Sequence, residues 1–207
     1  MTVHSFGDLS SDTVLIQPVD RHDLETIGNE IKIIEDTAGA DVCLLAVEVD
    51  DWNADLSPWR APAVFGKEDF GDGAANTLAE IKKLCADKSK TYYVGGYSLA
   101  GLFSLWAAYQ TDLFRGAAAA SPSVWFPGFV DYMKENAFLS GAVYLSLGDK
   151  EEKARNPIMA TVGERIREAY QWFHAQGVNC VLEWNEGNHF RDADIRTAKA
   201  FAWLLKQ

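Results

Sequence analysis

The chain has little cysteine, little proline, few histidines and a deficit of positive charge. Its three cysteines, Cys43, Cys85 and Cys180, are odd in number and far apart, which argues against a disulfide framework or a thiolate metal site. Each reads as a small buried apolar residue. Lysine and arginine number 19 against 30 acidic residues, a formal net charge of −11, so a nucleic-acid backbone is a poor partner. No run of eighteen apolar residues occurs, and Met1–Asp8 lacks the basic and apolar regions of a secretory leader. The expectation is a cytoplasmic protein with no membrane partner. Four histidines leave a short list for any imidazole chemistry.

What is present is enough apolar material for one substantial core: 207 residues, 48% hydrophobic, read as a single domain over 1–207. Elements alternate along it. Thr13–Ile16 reads as a buried strand closed by Gln17-Pro18. Leu24, Ile27, Ile31 and Ile34 recur at helical spacing up to Gly39. Val42–Val47 is an unbroken apolar strand, the pattern of burial on both faces in a parallel sheet. A long loop from Asp50 to about Gly73 precedes a helix marked by Leu78, Ile81 and Leu84. Strands follow at Thr91–Val94, at the poly-alanine run Gly116–Ala120, at Ala142–Leu147 and at Asn179–Trp184. Poly-alanine alone favours helix, but this run lies between a helix and a loop and reads as a tightly packed interior strand. Helices are expected over Ile158–Phe173 and Ile195–Leu205. The βαβα order implies an α/β fold with an open, mostly parallel sheet flanked by helices.

The most informative segment is Gly96-Tyr97-Ser98-Leu99-Ala100-Gly101, set between the strand ending at Val94 and the apolar helix Leu102–Ala108. Strand, sharp turn with a serine between small residues, then helix is the arrangement of a nucleophile elbow. Bulky side chains two positions either side of the serine have no room in such a turn. The helix start directs N–H groups at negative charge developing beside Ser98. A serine nucleophile needs a base and the base needs an orienting carboxylate, in the chain order Ser, acid, His. His4 and His22 precede the serine, and His174 lies on an amphipathic helix. His189, in Glu186-Gly187-Asn188-His189-Phe190, follows the last strand, on the side of the sheet that carries the elbow. The acid is expected after Ala142–Leu147, where Asp149, Glu151 and Glu152 all qualify by spacing.

These segments, with the Ser121-Pro122-Ser123-Val124-Trp125 loop, resemble an esterase family of α/β-hydrolases that includes S-formylglutathione hydrolases, enterochelin esterases, feruloyl esterases and mycolyltransferases. The likeness runs from Thr13 onward and implies a compact α/β-hydrolase fold whose opening antiparallel strands are reduced or missing. It implies a carboxylic ester or thioester hydrolase with Ser98, His189 and Glu151 as the triad, Glu152 and Asp149 being the reserves, and no cofactor or metal. One oxyanion donor is expected from the N–H of Leu99. The family's customary His-Gly after the first predicted strand is replaced by Gln17-Pro18; Pro18 has no N–H, so the second donor is expected from Gln17 or Val19. Tyr97, Ser123, Trp125 and Trp59 are the candidate pocket residues, for a small soluble ester. Alternatives are a non-catalytic binding protein of the same fold, or an acyltransferase using the same triad.

Overall fold

The computed structural model describes residues 1–207 and builds one seven-stranded sheet in the order β1-β3-β2-β4-β5-β6-β7. Strands β2 (Thr13–Val19), β3 (Cys43–Glu48), β4 (Thr91–Tyr97), β5 (Phe114–Ala120), β6 (Ala142–Gly148) and β7 (Asn179–Asn185) run parallel. The reduced antiparallel part of the sheet is a single edge strand, β1 (Thr2–Gly7), paired with β3. The sequence reading has no strand there, because Thr2–Gly7 buries nothing fully and shows only a weak alternation.

Both faces are covered. Helices α1 (Ile27–Ala38) and α7 (Ala193–Leu204) pack one side through Ile27, Ile31, Ile34, Ala198 and Phe201. Helices α3 (Ala74–Leu84), α4 (Ser98–Gln110) and α6 (Val162–Ala175) pack the other through Leu78, Ile81, Phe103, Ile166 and Phe173. Strand β2 divides accordingly, Val14 and Ile16 facing one core and Leu15 and Val19 the other, the period of two that a strand imposes. The alanine run in β5 has the same cause: Ala117 and Ala119 meet one core, Ala118 and Ala120 the other. Small side chains there let helices press on both faces. A Cβ on Gly116 would lie 2.7 Å from Leu204, which shows how closely α7 sits. Helix α4 is buried from Leu99 through Tyr109, so it reads as apolar all round rather than amphipathic.

Several boundaries differ from the pattern-based expectation. The long loop holds a short helix, α2 (Trp52–Asp55), and a bridge between Ala61 and Phe70. A further helix, α5 (Phe129–Glu135), follows the Trp125 loop. Leu24 lies in a separate 3₁₀ turn before α1, and Ile158 stands exposed ahead of α6. Strand β2 continues through Gln17 and Pro18 to Val19 instead of closing at Gln17-Pro18. Pro18 is tolerated because it lies past the last β2–β4 pair, Ile16–Val94, and the strand continues there on its pairing to β3, through Pro18–Val47 and Val19–Glu48, so no ladder bond to β4 is asked of its nitrogen.

Candidate active site

Ser98 occupies the left-handed region, φ 56°, at the junction of β4 and α4. A non-glycine residue there is strained and persists only where its surroundings enforce it. The neighbours show the enforcement. A Cβ on Gly96 would stand 2.6 Å from the Ala100 methyl, and one on Gly101 would stand 3.0 Å from the Gly96 carbonyl. The turn closes only with small residues at those places. Ser98 is the first residue of α4, so the N–H groups of its opening turn, Leu99 included, lack acceptors within the helix.

Three loops at the carboxyl edge of the sheet converge on this serine. His189, after β7, brings Nε2 to 2.9 Å from Ser98 Oγ, and its Nδ1 lies 2.7 Å from Glu151 Oε2, on the turn after β6. A carboxylate only accepts, so Nδ1 carries the proton and Nε2 is left to accept from the serine hydroxyl. Glu151 Oε1 accepts three more bonds, from the Ser121 hydroxyl at 2.8 Å, the Gly148 N–H at 2.7 Å and Arg196 at 3.0 Å. Burial by itself pushes this carboxyl's pKa up; the His189, Gly148 and Ser121 bonds outweigh it and hold the pKa below the ordinary value of 4.5.

The other two acids go elsewhere. Asp149 accepts from the Gly187 N–H at 2.8 Å and ties the two loops together, while Glu152 pairs with Arg167 at 3.0 Å on the surface.

Arg196 is the residue that sequence reasoning missed. It is 1% exposed and sends Nη1 to Glu151, Ser121 and the Tyr97 hydroxyl, and Nη2 to the carbonyls of Glu186 and Asn188. One guanidinium thus holds the acid and the backbone that carries His189. The signal was an arginine on the buried stripe of α7 among Thr197, Ala200, Phe201 and Leu204, where a charge is costly unless paired.

Tyr97 belongs to this frame rather than to a pocket wall. Its hydroxyl donates to the His189 carbonyl at 2.8 Å; burial, followed by the nearby Glu151 charge, pushes the phenol pKa up to about 12, which keeps that proton in place. Ser123 is buried, donates its N–H to the Ser98 carbonyl at 3.0 Å and sets its hydroxyl 3.4 Å from Ser98 Oγ.

A cavity of about 220 Å³ lies against His189 and Glu151, walled by Trp125, Met159, Val162 and Phe190 on its apolar side. Trp59 is not part of it. Its indole donates to the Pro127 carbonyl at 3.0 Å and packs against Phe126, Phe129 and Tyr132, so it fastens the long loop to α5.

The backbone donors expected from Gln17 and Val19 point along the sheet. Val19's carbonyl accepts from the Val49 N–H at 3.1 Å, and a strand residue turns its N–H and C=O to the same edge. Val19 and Gln17, two residues apart, therefore both face β3. The next N–H, of Asp20, donates to Asp23 Oδ2 at 3.1 Å. No group of three or more His, Cys, Asp or Glu is placed to hold a metal, and no helix is long and apolar enough to cross a membrane.

No family model matches the chain, and no curated protein matches it by sequence. Solved structures do. The siderophore hydrolase EstA from Aspergillus nidulans superposes with a TM-score of 0.70 at 18% identity, over 99% of this chain and 89% of that one. An IroE-like serine hydrolase from Shewanella oneidensis gives 0.78 at 14% identity, over 94% and 70%. The Bacillus cereus carboxylesterase gives 0.61 at 15% identity, over 100% and 94%. At such identities the likeness speaks to architecture, and it shows an α/β-hydrolase fold.

Proposed function

We propose that the protein is a serine hydrolase that cleaves a small soluble carboxylic ester or thioester through an acyl-enzyme, with Ser98 as nucleophile, His189 as base and Glu151 as orienting acid. The observation that carries this reading is the continuous chain from Ser98 Oγ through both His189 nitrogens to Glu151, at 2.9 and 2.7 Å. Solved neighbours described as a siderophore hydrolase, a serine hydrolase and a carboxylesterase support hydrolysis as its broad chemistry.

In this mechanism His189 Nε2 takes the proton as Ser98 Oγ attacks the carbonyl carbon, and Glu151 stabilises the imidazolium. The tetrahedral oxyanion is met by the Leu99 N–H at the start of α4. His189 then protonates the departing alcohol or thiol, water enters, and the same nitrogen takes a proton from it to release the acid and restore Ser98. No cofactor is needed. With Gln17 and Val19 turned to β3, the oxyanion is left with fewer donors than usual. One absent donor is worth about 3–4 kcal/mol of transition-state stabilisation, so turnover on generic esters should be modest.

The test is p-nitrophenyl butyrate hydrolysis by the wild type and by Ser98→Ala, together with labelling by a fluorophosphonate. The wild type should be labelled at Ser98, and the variant should lose at least about 10³-fold in kcat. A wild type that takes up no label, or a Ser98→Ala enzyme with undiminished turnover, would refute the assignment. An added alcohol acceptor in the same assay separates hydrolysis from acyl transfer by the products formed.

A further inference from the structure

The cavity beside His189 has lining residues that the reaction itself does not use. Besides the apolar side chains of Trp125, Met159 and Val162, it is lined by Lys150 and Lys153. Both lysines are exposed and neither makes an ion pair. The one carboxylate in the wall, Glu151, is already matched by Arg196 at 3.0 Å and His189 at 2.7 Å. The neighbouring Glu152 is committed to Arg167 at 3.0 Å, and Asp149 to the Gly187 N–H at 2.8 Å. Two ammonium groups outside any ion pair thus stand at one small cavity in a chain whose net charge is −11, with Asp149, whose partner is a neutral N–H, the one adjacent carboxylate that has no cation of its own. A neutral substrate has no use for them, and the surrounding negative field would otherwise repel an anion.

We infer that the ester substrate carries a carboxylate, its short apolar or aromatic body lying against Trp125 and Met159 and its anionic end between Lys150 and Lys153. This rests on the hydrolase reading and narrows it to a substrate class. The volume of about 220 Å³ falls below the roughly 300–1,000 Å³ of drug-sized sites, so the occupant is a small moiety. Lys150 and Lys153 are specificity-determining residues in this scheme, without a part in bond making.

The experiment compares esters that differ only in charge. Mono-p-nitrophenyl glutarate against p-nitrophenyl pentanoate tests a carboxylate on the acyl side. The anion 3-acetoxybenzoate against its methyl ester tests one on the leaving-group side. In at least one pair the wild type should favour the anion by about tenfold in kcat/KM, the size of two solvent-screened ion pairs acting together. That ratio should shrink in high salt. It should approach one in the Lys150→Met/Lys153→Met double variant and invert in Lys150→Glu/Lys153→Glu, while Lys→Arg at both positions retains it. Equal kcat/KM within both pairs, or a preference that survives the double methionine variant, overturns the inference while leaving the hydrolase reading intact. Should no ester be turned over and no fluorophosphonate label be taken up, the hydrolase reading fails instead. The anion site is then read from NMR shifts of His189 and Trp125 in Ser98→Ala on titration with glutarate and 3-hydroxybenzoate. Shifts that vanish with the lysines support it, and their absence overturns it.

Discussion

Glu151 and Glu30 are buried to nearly the same depth, 7% and 3% exposed, in very different company. Glu151 receives four hydrogen bonds, from Ser121, Gly148, Arg196 and His189, and its pKa is lowered. Glu30, on α1, has one, from Gln17 Nε2 at 3.2 Å. Burial pushes its pKa well up, and the nearby charges of Asp23 and Asp194 push the same way. Glu30 Oε1 and Gln17 Oε1 are both buried without a partner. Two acceptors cannot satisfy each other, but one proton on Glu30 would supply the donor that both lack and allow an acid–amide dimer with two reciprocal bonds. Depth of burial therefore does not decide a carboxyl's charge. The donors around it do.

Removing the charge of Glu151 should give the largest effect. Glu151→Gln leaves the side chain's shape but puts an amide where His189 Nδ1 needs an acceptor, so kcat is expected to fall by about 10⁴, measured on the ester that the wild type cleaves best. A fall under tenfold would refute the role proposed for Glu151. Next is Arg196→Met, which strands a buried carboxylate. Loss of one partner from a buried ion pair costs about 3–5 kcal/mol, to be read from urea unfolding, and kcat should fall with it because the His189 loop loses the bonds at Glu186 and Asn188.

The third change inverts the comparison. Glu30→Gln supplies permanently the N–H that the proton provides, so stability should hold or rise. The sign follows from linkage. Because the folded pKa is raised, the contribution of Glu30 is complete below the ordinary 4.5 and declines as pH climbs toward the folded value. Glu151 behaves oppositely: its contribution is complete above 4.5 and is lost as pH falls through the lowered folded value. Thermal melts should show Glu30→Gln level with the wild type near pH 4.5 and ahead of it by about 1–3 kcal/mol near pH 8, the cost of an unpaired buried polar group. A variant that loses ground as pH rises contradicts the acid–amide pair. The smallest effect belongs to an exposed acid. Glu80 pairs with Lys83 on the surface of α3, and Glu80→Gln should shift stability by no more than about 0.5 kcal/mol.

Much of the site was legible because its signals are local. The elbow announces itself in six consecutive residues, since the strained φ at Ser98 forces small neighbours within the same turn. His189 was legible from chain order and from its place after the last strand. Arg196 was not picked out, although its position on the buried stripe of α7 hinted at it. The edge strand β1 was hidden because it buries nothing fully, and hydropathy registers only what leaves water. Strand β2 was cut short at Gln17-Pro18, since proline is read as a breaker where a strand's continued pairing on its other edge cannot be seen.

The alternation of the six parallel strands with the main helices, the candidate serine and imidazole and a short list of acids were determined by the sequence alone, because each depends on periodicity or on sterics within a few residues. Only the tertiary structure decided which acid faces the imidazole, which glutamate is left short of partners and which backbone edges remain open near Ser98. Those choices turn on contacts between residues 13 to 45 positions apart, such as Gln17 with Glu30 and Arg196 with Glu151, and a chain discloses such neighbours only when the sheet brings its loops to one rim.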